Sequence, residues 1–379
     1  MIISQRSWIE LNYHAFVSNI QHLTAHLLPE CKRALVIKNN GYGHGIVQMA
    51  YMAEKCGLID MLCVGTTSEA IALRAHGITL PILALYYIDS PLDDIVLHNI
   101  SVMVDNIQTI KTLENHLHAT SRIINVHLKI NTGLNRFGCN IESLTSICTL
   151  ITQCKNIQLE GVYTHLAQAA DQNTNYTDQQ LASFEYALEQ VYAYNIYPRL
   201  IHYANTAGAL AHPRSYQTMV RIGLGAYGIM PAEHLYNHIN QTQLVPILEW
   251  KSKIISVRTI QAGQSVSYDR TFVAPRTTRL GFIPVGYDDG YDRRLSNKGI
   301  VLVENQLAPV VGRIAMSSTI LDITDIPEAH LDSVVTLFGI NTPIHANSIA
   351  QTIGEHNPRV VLTKLERTIE RTIQYNSYR

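Results

Sequence analysis

A lysine closes the first strongly apolar run of this chain. The segment from Leu35 to Gly45 reads LVIKNNGYGHG, so Lys38 ends a β-branched stretch and is followed at once by a glycine-rich turn that bears Tyr42. Charged side chains are seldom buried without a partner. In an apolar strand mouth an ammonium loses hydration of its charged form, its pKa falls, and a neutral amine becomes available. That amine can condense with an aldehyde. The bland alternative is a lysine snorkelling to the rim. Other apolar runs also end in polar groups. INVHLKI ends near Lys129 and is followed by Asn131-Thr132-Gly133 and Arg136; IQLEGVYTH ends at His165. RLIHYAN runs out through His202, Asn205 and Thr206, and TMVRIGLG carries Arg221 ahead of Gly223-Leu224-Gly225. The Thr206 hydroxyl and the small backbone after Arg221 can form a phosphate cradle with N–H groups turned inward, or the glycines only permit tight turns. An aldehyde cofactor with a phosphate handle suits both the lysine and the cradle, and pyridoxal 5′-phosphate (PLP) is such a molecule.

These groups act together only if the elements carrying them converge. Up to about residue 230, the runs ALVIK, MLCVGT, PILALYY, SVMVDN, INVHLKI, IQLEGVYTH, RLIHYAN and TMVRIGLGAYGI alternate with amphipathic stretches such as HGIVQMAYMAEKCG and TDQQLASFEYALEQVYAYN. The second stretch is expected to begin with Thr177 as N-cap and Gln180 completing a capping box. Near-continuous apolar strands fit a parallel sheet covered on both faces. Strand–helix alternation of this kind predicts a (β/α)8 barrel, whose active site lies at the C-terminal ends of the strands and whose phosphate site usually follows strands seven and eight. The remainder has a different period. LEWKSKIISVRTI, TRLGFIPVG, GIVLVENQLAPVVGRIAM and STILDIT read as strands joined by Gly, Asn and Pro turns, with helical spacing only near 346–375. The fold class expected is α/β: an N-terminal (β/α)8 TIM-type barrel over 11–235, and a C-terminal, mostly antiparallel β domain over 236–379 that also takes residues 1–10.

Composition excludes several classes of function. A chain of 379 residues with net charge −1 has nothing to draw it to nucleic acid or to an anionic membrane. No apolar run approaches the roughly 18 residues of a membrane span, and MIISQRSWIE lacks the apolar centre of a signal peptide; a cytoplasmic location is expected. The six cysteines contain no C-x-x-C pair and the 17 histidines no H-E-x-x-H spacing, so no metal is expected.

The quoted motifs also resemble a known family. VIKNNGYGHG, LKINTGLNRFG, THLAQAAD, HYANTAGAL, RIGLGAYGI, SYDRTF, PVGYDDGYDRRLSN and VVGRIAM follow the order and spacing found in alanine racemases, the PLP-dependent enzymes of fold type III. The resemblance implies that Lys38 carries PLP and then serves as an acid/base. It places Tyr42 at the phosphate, with donors from Thr206, Gly223 and Leu224 and Asn205 nearby. It sets Arg221 against the pyridine nitrogen, where a guanidinium that stays charged discourages ring protonation and gives a weak electron sink. Tyr268 is the implied second base, reaching the lysine site of a partner subunit in a head-to-tail homodimer; an ordinary phenol, of pKa about 10, needs a stabilising environment for that work. His165 would hydrogen-bond to this tyrosine with Arg221 behind it, and His202 would orient Arg221. Arg136 and the Met316 N–H would bind the substrate carboxylate. Lys129 is a possible carbamylation site, and Tyr287, Arg293 and Arg313 would line an entry corridor. The implied product is D-alanine for the cell wall.

The chain departs from the family at three places. Asn39-Asn40-Gly41 replaces the common Ala-Asp-Ala, Ser317 stands where aspartate is usual, and Asn347 falls near a pocket tyrosine. Such a loss leaves room beside the substrate, so racemisation of serine, lysine or arginine is an alternative. A fold type III decarboxylase or a non-catalytic PLP carrier is a more distant one.

Overall fold

The computed structural model describes residues 6–118, 120, 122–240, 242–339 and 343–375. The chain divides into two compact units, one formed by Phe16–Asn39 with Met49–Leu244, the other by the N-terminal stretch to Ala15, Asn40–Gln48 and the chain from Val245 on.

After an N-terminal strand, β1 (Ser7–Asn12), the apolar runs of the first unit become eight strands. They are β2 (Lys32–Val36), β3 (Met61–Thr66), β4 (Ile82–Tyr87), β5 (Ile100–Val104), β6 (Ile124–Lys129), β7 (Ile157–Tyr163), β8 (Leu200–His202) and β9 (Met219–Ile222). All pair in parallel, in the order β8-β7-β6-β5-β4-β3-β2-β9. The two end strands meet through main-chain bonds, with Arg221 N–H donating to Ala204 O at 3.0 Å and Thr218 N–H to Ile201 O at 3.3 Å. The ring of a (β/α)8 barrel is thereby closed and leaves no open edge. Every residue of β5 is buried, as a strand covered on both faces requires.

The helices between strands bury one stripe each. Ile107–Leu117 turns Ile110, Leu113 and Leu117 inward, at helical spacing. Asn106 caps it, its side-chain oxygen accepting from Thr109 N–H at 2.8 Å. Each such aliphatic side chain contributes about 1.5–3 kcal/mol by leaving water; truncating Ile110 to Ala would cost about 2–5 kcal/mol. The helix expected from Thr177 runs instead over Asn175–Tyr192 with Thr174 as N-cap. Thr177 is buried inside it, and Gln180 faces the barrel rather than its own N-terminus. Its amide accepts from Ala167 N–H at 2.8 Å and donates to Thr132 Oγ1 and His165 O, each at 3.3 Å. Tertiary partners outcompeted the local capping box.

Pairing of β6 with β7 steps from Val126↔Leu159 to His127↔Gly161, so Glu160 is the extra residue of a bulge.

The second unit is built on β1. A six-stranded sheet has the order β16-β15-β18-β10-β1-β19, from β10 (Leu248–Lys253), β15 (Ile300–Val303), β16 (Gln306–Pro309), β18 (Val334–Phe338) and β19 (Glu370–Gln374). A three-stranded sheet joins β11 (Ser256–Ile260), β14 (Thr278–Ile283) and β17 (Thr319–Asp322), and a ribbon pairs β12 (Ser265–Val266) with β13 (Phe272–Val273). All pairs are antiparallel except β1/β19. Val266, Leu280 and Val311 form a core under Phe272 and Phe282; Trp250 meets Phe338 edge-on at 5.7 Å. The helical period expected near 346–375 holds only for Ala346–Thr352 and Arg359–Leu362. Residues 370–374 are strand, because β1 offers them a parallel ladder.

Candidate active site

Lys38 lies just beyond β2, where Ile37 N–H still pairs with Cys63 O at 2.9 Å. The chain then makes a left-handed turn: φ is +52°, +54°, +59° and +52° from Asn39 to Tyr42. Asn and Gly tolerate this region best, which gives Asn39-Asn40-Gly41 a conformational reason. The strain sits beside the lysine and is held there. Glu69 accepts from Asn39 N–H and from Gly65 N–H, both at 2.7 Å, and so clamps the two strand ends that flank Lys38.

The Lys38 amine donates to the Tyr86 hydroxyl at the end of β4. Tyr86 stacks on Phe137 at 5.4 Å. Lys129 Nζ stands 5.3 Å from the Tyr163 ring, 5.2 Å from Phe137 and 5.8 Å from Tyr86, while the Arg136 guanidinium is 5.5 Å from Tyr86. Aromatic faces thus separate three cations. Burial, reinforced by the charges of Arg221, Arg136 and Lys38, brings the Lys129 ammonium down to about 7.

Arg221 is the buried centre of the barrel mouth, 3% exposed. One guanidinium nitrogen donates to His202 Nδ1 at 2.7 Å and His202 O at 2.8 Å. The other donates to Thr164 O at 2.9 Å, His165 Nδ1 at 3.3 Å and Tyr203 O at 3.3 Å. Burial lowers its pKa. Burial and then the Arg221 charge hold both His165 and His202 far below the ordinary imidazole range, so both are neutral. Tyr163 stacks flat on His202, 4.7 Å away and tilted by 9°.

On the other side of the mouth, Gly223 N–H donates to Thr206 Oγ1 at 3.0 Å, which leaves the hydroxyl proton for a ligand. A side chain at Gly225 would meet Thr206 Cγ2 at 2.8 Å, so glycine there permits the close approach. Asn205 caps the helix Thr206–Ala211, accepting from Gly208 N–H at 3.0 Å. Leu224 opens the short turn after β9. An amine at Lys38, a hydroxyl at Thr206 and the cations around Arg221 are chemically compatible with an aldehyde cofactor that carries a phosphate, as PLP does.

The structure therefore brings Lys38, Lys129, Arg136, His165, His202, Asn205, Thr206, Arg221, Gly223 and Leu224 onto one end of the barrel. The remaining candidates belong to the second unit. Tyr42 is half-buried. Tyr268 is 67% exposed and Met316 57% exposed. Tyr268 stands in a loop where Ser267, Asp269 and Arg270 all have positive φ, at +64°, +59° and +51°. That loop is pinned by Ser267 Oγ donating to Arg313 O at 2.6 Å and by the Arg313–Asp269 ion pair at 3.2 Å. Tyr287, Arg293, Ser317 and Asn347 are exposed.

Sequence reasoning passed over Tyr86, His127 and Glu160, and read Gln180 only as part of a helix cap. His127 and Glu160 did carry a signal: each is polar within an otherwise apolar strand run. His127 and His202 are fully buried and joined at 2.8 Å.

Comparison with known proteins agrees with this geometry. Family models match twice, "Alanine racemase, N-terminal domain" over residues 11–231 and "Alanine racemase, C-terminal domain" over 247–373. An alanine racemase of Nostoc sp. is 35% identical over 340 residues, 89% of this chain and 87% of its own. One from Syntrophobacter fumaroxidans is 35% identical over 92% of both chains. Among solved structures, alanine racemase of Clostridium difficile superposes with a TM-score of 0.91 at 29% identity, covering 98% of this chain and 97% of that one. With both domain models matched and the likeness running nearly end to end, the chain belongs to the alanine racemase family, the PLP-dependent isomerases that interconvert L- and D-alanine.

Proposed function

We propose that this chain racemises alanine by a two-base mechanism, with Lys38 on one face of the substrate and Tyr268 from a partner subunit on the other. Lys38, Tyr42, Thr206, Gly223, Leu224 and Arg221 would hold PLP, which when bound supplies an electron-withdrawing ring that acidifies the Cα proton. Lys38 removes or returns that proton at its Nζ, within reach of the Tyr86 hydroxyl. Arg221 is fixed by two imidazoles and three carbonyls and cannot give up its own proton, so it holds the ring as a weak sink and limits stray protonation. His165 receives a hydrogen bond from Arg221 at Nδ1. Its proton therefore lies on Nε2, free to donate to the Tyr268 oxygen and stabilise a phenolate. Arg136 and the Met316 N–H are assigned to the substrate carboxylate.

The observation that carries this reading is the gathering of Lys38, Lys129, Arg136 and Arg221 around one barrel mouth. The homodimer is supported by the exposure of Tyr268 on a pinned, strained loop. Cytoplasmic action and supply of D-alanine to the cell wall rest on the family likeness; among the described residues no helix is long and apolar enough to cross a membrane. The experiment is a chirality-resolved assay on alanine, serine, lysine and arginine in deuterated solvent. Deuterium at Cα with inversion and no carbon dioxide supports the reading. Carbon dioxide release, or exchange confined to serine or the basic amino acids, overturns it.

A further inference from the structure

Arg221 is a buried cation whose direct partners are all neutral. A charge in that position needs compensation, and a hydrogen-bonded chain leads away from it. His202 Nε2 lies 2.8 Å from His127 Nδ1, and His127 Nε2 lies 3.1 Å from Glu160 Oε2. Glu160 also accepts from Ser101 Oγ at 2.7 Å and from Arg199. Both rings are fully buried and the carboxylate side chain is 6% exposed.

Donor chemistry permits this chain one direction only. A guanidinium has no acceptor. His202 Nδ1 must therefore be the accepting nitrogen towards Arg221, and the His202 proton is on Nε2. That proton points at His127 Nδ1, which must accept. The His127 proton is then on Nε2 and is donated to Glu160. Reversing either ring would set N–H against N–H in a dry interior.

The backbone is shaped for this arrangement. The bulge in β7 exists at Glu160 and aims its carboxylate at His127. The next residue is Gly161, where an added Cβ would lie 2.3 Å from His127 Nδ1. Gly161 has ordinary negative-φ geometry, so the glycine leaves room for the ring rather than relieving the backbone.

We propose that Glu160 and His127 are positioning residues for the racemase: through His127 they accept the Nε2 proton of His202, hold that ring in place, and so fix the orientation of Arg221 towards the cofactor ring. This rests on the function proposed above. Burial would raise the Glu160 carboxyl, but the hydrogen bonds from His127, Ser101 and Arg199 prevail and hold it down at about 2. Glu160 stays ionised at working pH. The groups facing His202 are Arg221, His127 and the Tyr163 ring, with Lys129 contributing charge. Those facing His127 are Glu160, His202 and Tyr163.

The test is nitrogen-15 NMR of histidine-labelled holoenzyme between about pH 6 and pH 9, the range in which an ordinary imidazole titrates. His127 and His202 are assigned by single substitution. Both should show protonated Nε2, bare Nδ1 and no titration. A proton on His202 Nδ1, or titration of either ring, overturns the proposal, and both are read on the wild-type protein. Gly161→Ala adds one methyl outside the chemistry. It should push His127 away from His202, shift the His202 Nε2 signal as that N–H loses its acceptor, and lower kcat about 10- to 100-fold, with KM for alanine changed less and PLP uptake retained. Glu160→Gln keeps an oxygen for His127 but removes the charge; it should preserve the His202 tautomer. An unchanged spectrum and kcat in Gly161→Ala would sink the idea. A wild-type protein that racemises nothing would remove the proposed function, while its nitrogen shifts would still report the direction of the chain.

Discussion

Arg221 and Tyr268 are held in place by opposite means. Arg221 is 3% exposed and is fixed by five hydrogen bonds, two to imidazoles and three to carbonyls. Tyr268 is 67% exposed and is presented by backbone geometry, on a loop with positive φ at Ser267, Asp269 and Arg270. The first can be set by one chain folding on itself. The second is a group displayed outward, whose surroundings in a single chain are solvent. A racemase needs proton handling on both faces of one carbon; under the proposed function Arg221 would fix the ring beside the home base Lys38, and Tyr268 would be the base lent to a neighbour.

The sharpest way to break this contrast is Tyr268→Phe. Removing an exposed hydroxyl should leave the melting temperature unchanged, while racemisation falls about 10²- to 10⁴-fold, the usual contribution of a positioned acid or base. Solvent deuterium should still enter one enantiomer through Lys38. Equal loss of exchange in both enantiomers would remove the assignment of one base to each face.

Arg221→Lys should behave in the opposite manner. It keeps the charge but not the planar fork, and each buried acceptor left without its donor costs about 1–3 kcal/mol. Thermal unfolding should show a clear loss of stability, together with lower kcat. A variant as stable as the parent would mean that the imidazole chain does not depend on the guanidinium.

Lys129 sharpens the barrel side through pH. Its pKa is lowered to about 7 by burial and by Arg221, Arg136 and Lys38, and the neutral amine is the form that adds carbon dioxide, releasing a proton. Uptake of labelled bicarbonate, followed by carbon-13 NMR, should rise as pH climbs through about 7 and disappear in Lys129→Met. The sign is the same for stability. The unfolded chain keeps this proton up to the ordinary lysine range, so the site's contribution to stability grows as pH rises above about 7. Uptake that falls with rising pH would contradict the shift.

Tyr86→Phe is the mildest change. It keeps the ring stacked on Phe137 and deletes only the hydroxyl at Lys38. A loss of at most about tenfold in kcat is expected, since one hydrogen bond is worth about 0.5–1.5 kcal/mol and tenfold is about 1.4 kcal/mol. No change at all would make Tyr86 a packing residue.

Much of the barrel was legible because it repeats one simple pattern. Apolar β-branched runs at regular intervals encode buried parallel strands, and polar residues closing those runs must lie at one rim. Lys129 and Arg221 were found in that way. Other features depend on partners distant in sequence. The helix bearing Gln180 begins at Asn175 because Ala167, Thr132 and His165 bind that amide. Glu370–Gln374 is strand because β1 lies alongside it.

The sequence by itself determined the alternation of elements, the rim lysine, and the Asn39-Asn40-Gly41 turn, since periodicity and left-handed tolerance are local properties of residues. Only the tertiary structure decided that Glu160 leaves the ladder at a bulge, that Gly161 makes room for His127, and that two neutral imidazoles carry the field of Arg221 to a carboxylate. Hydrogen-bond direction is a property of atoms brought together, and residues 127, 160, 202 and 221 become neighbours only when the sheet closes.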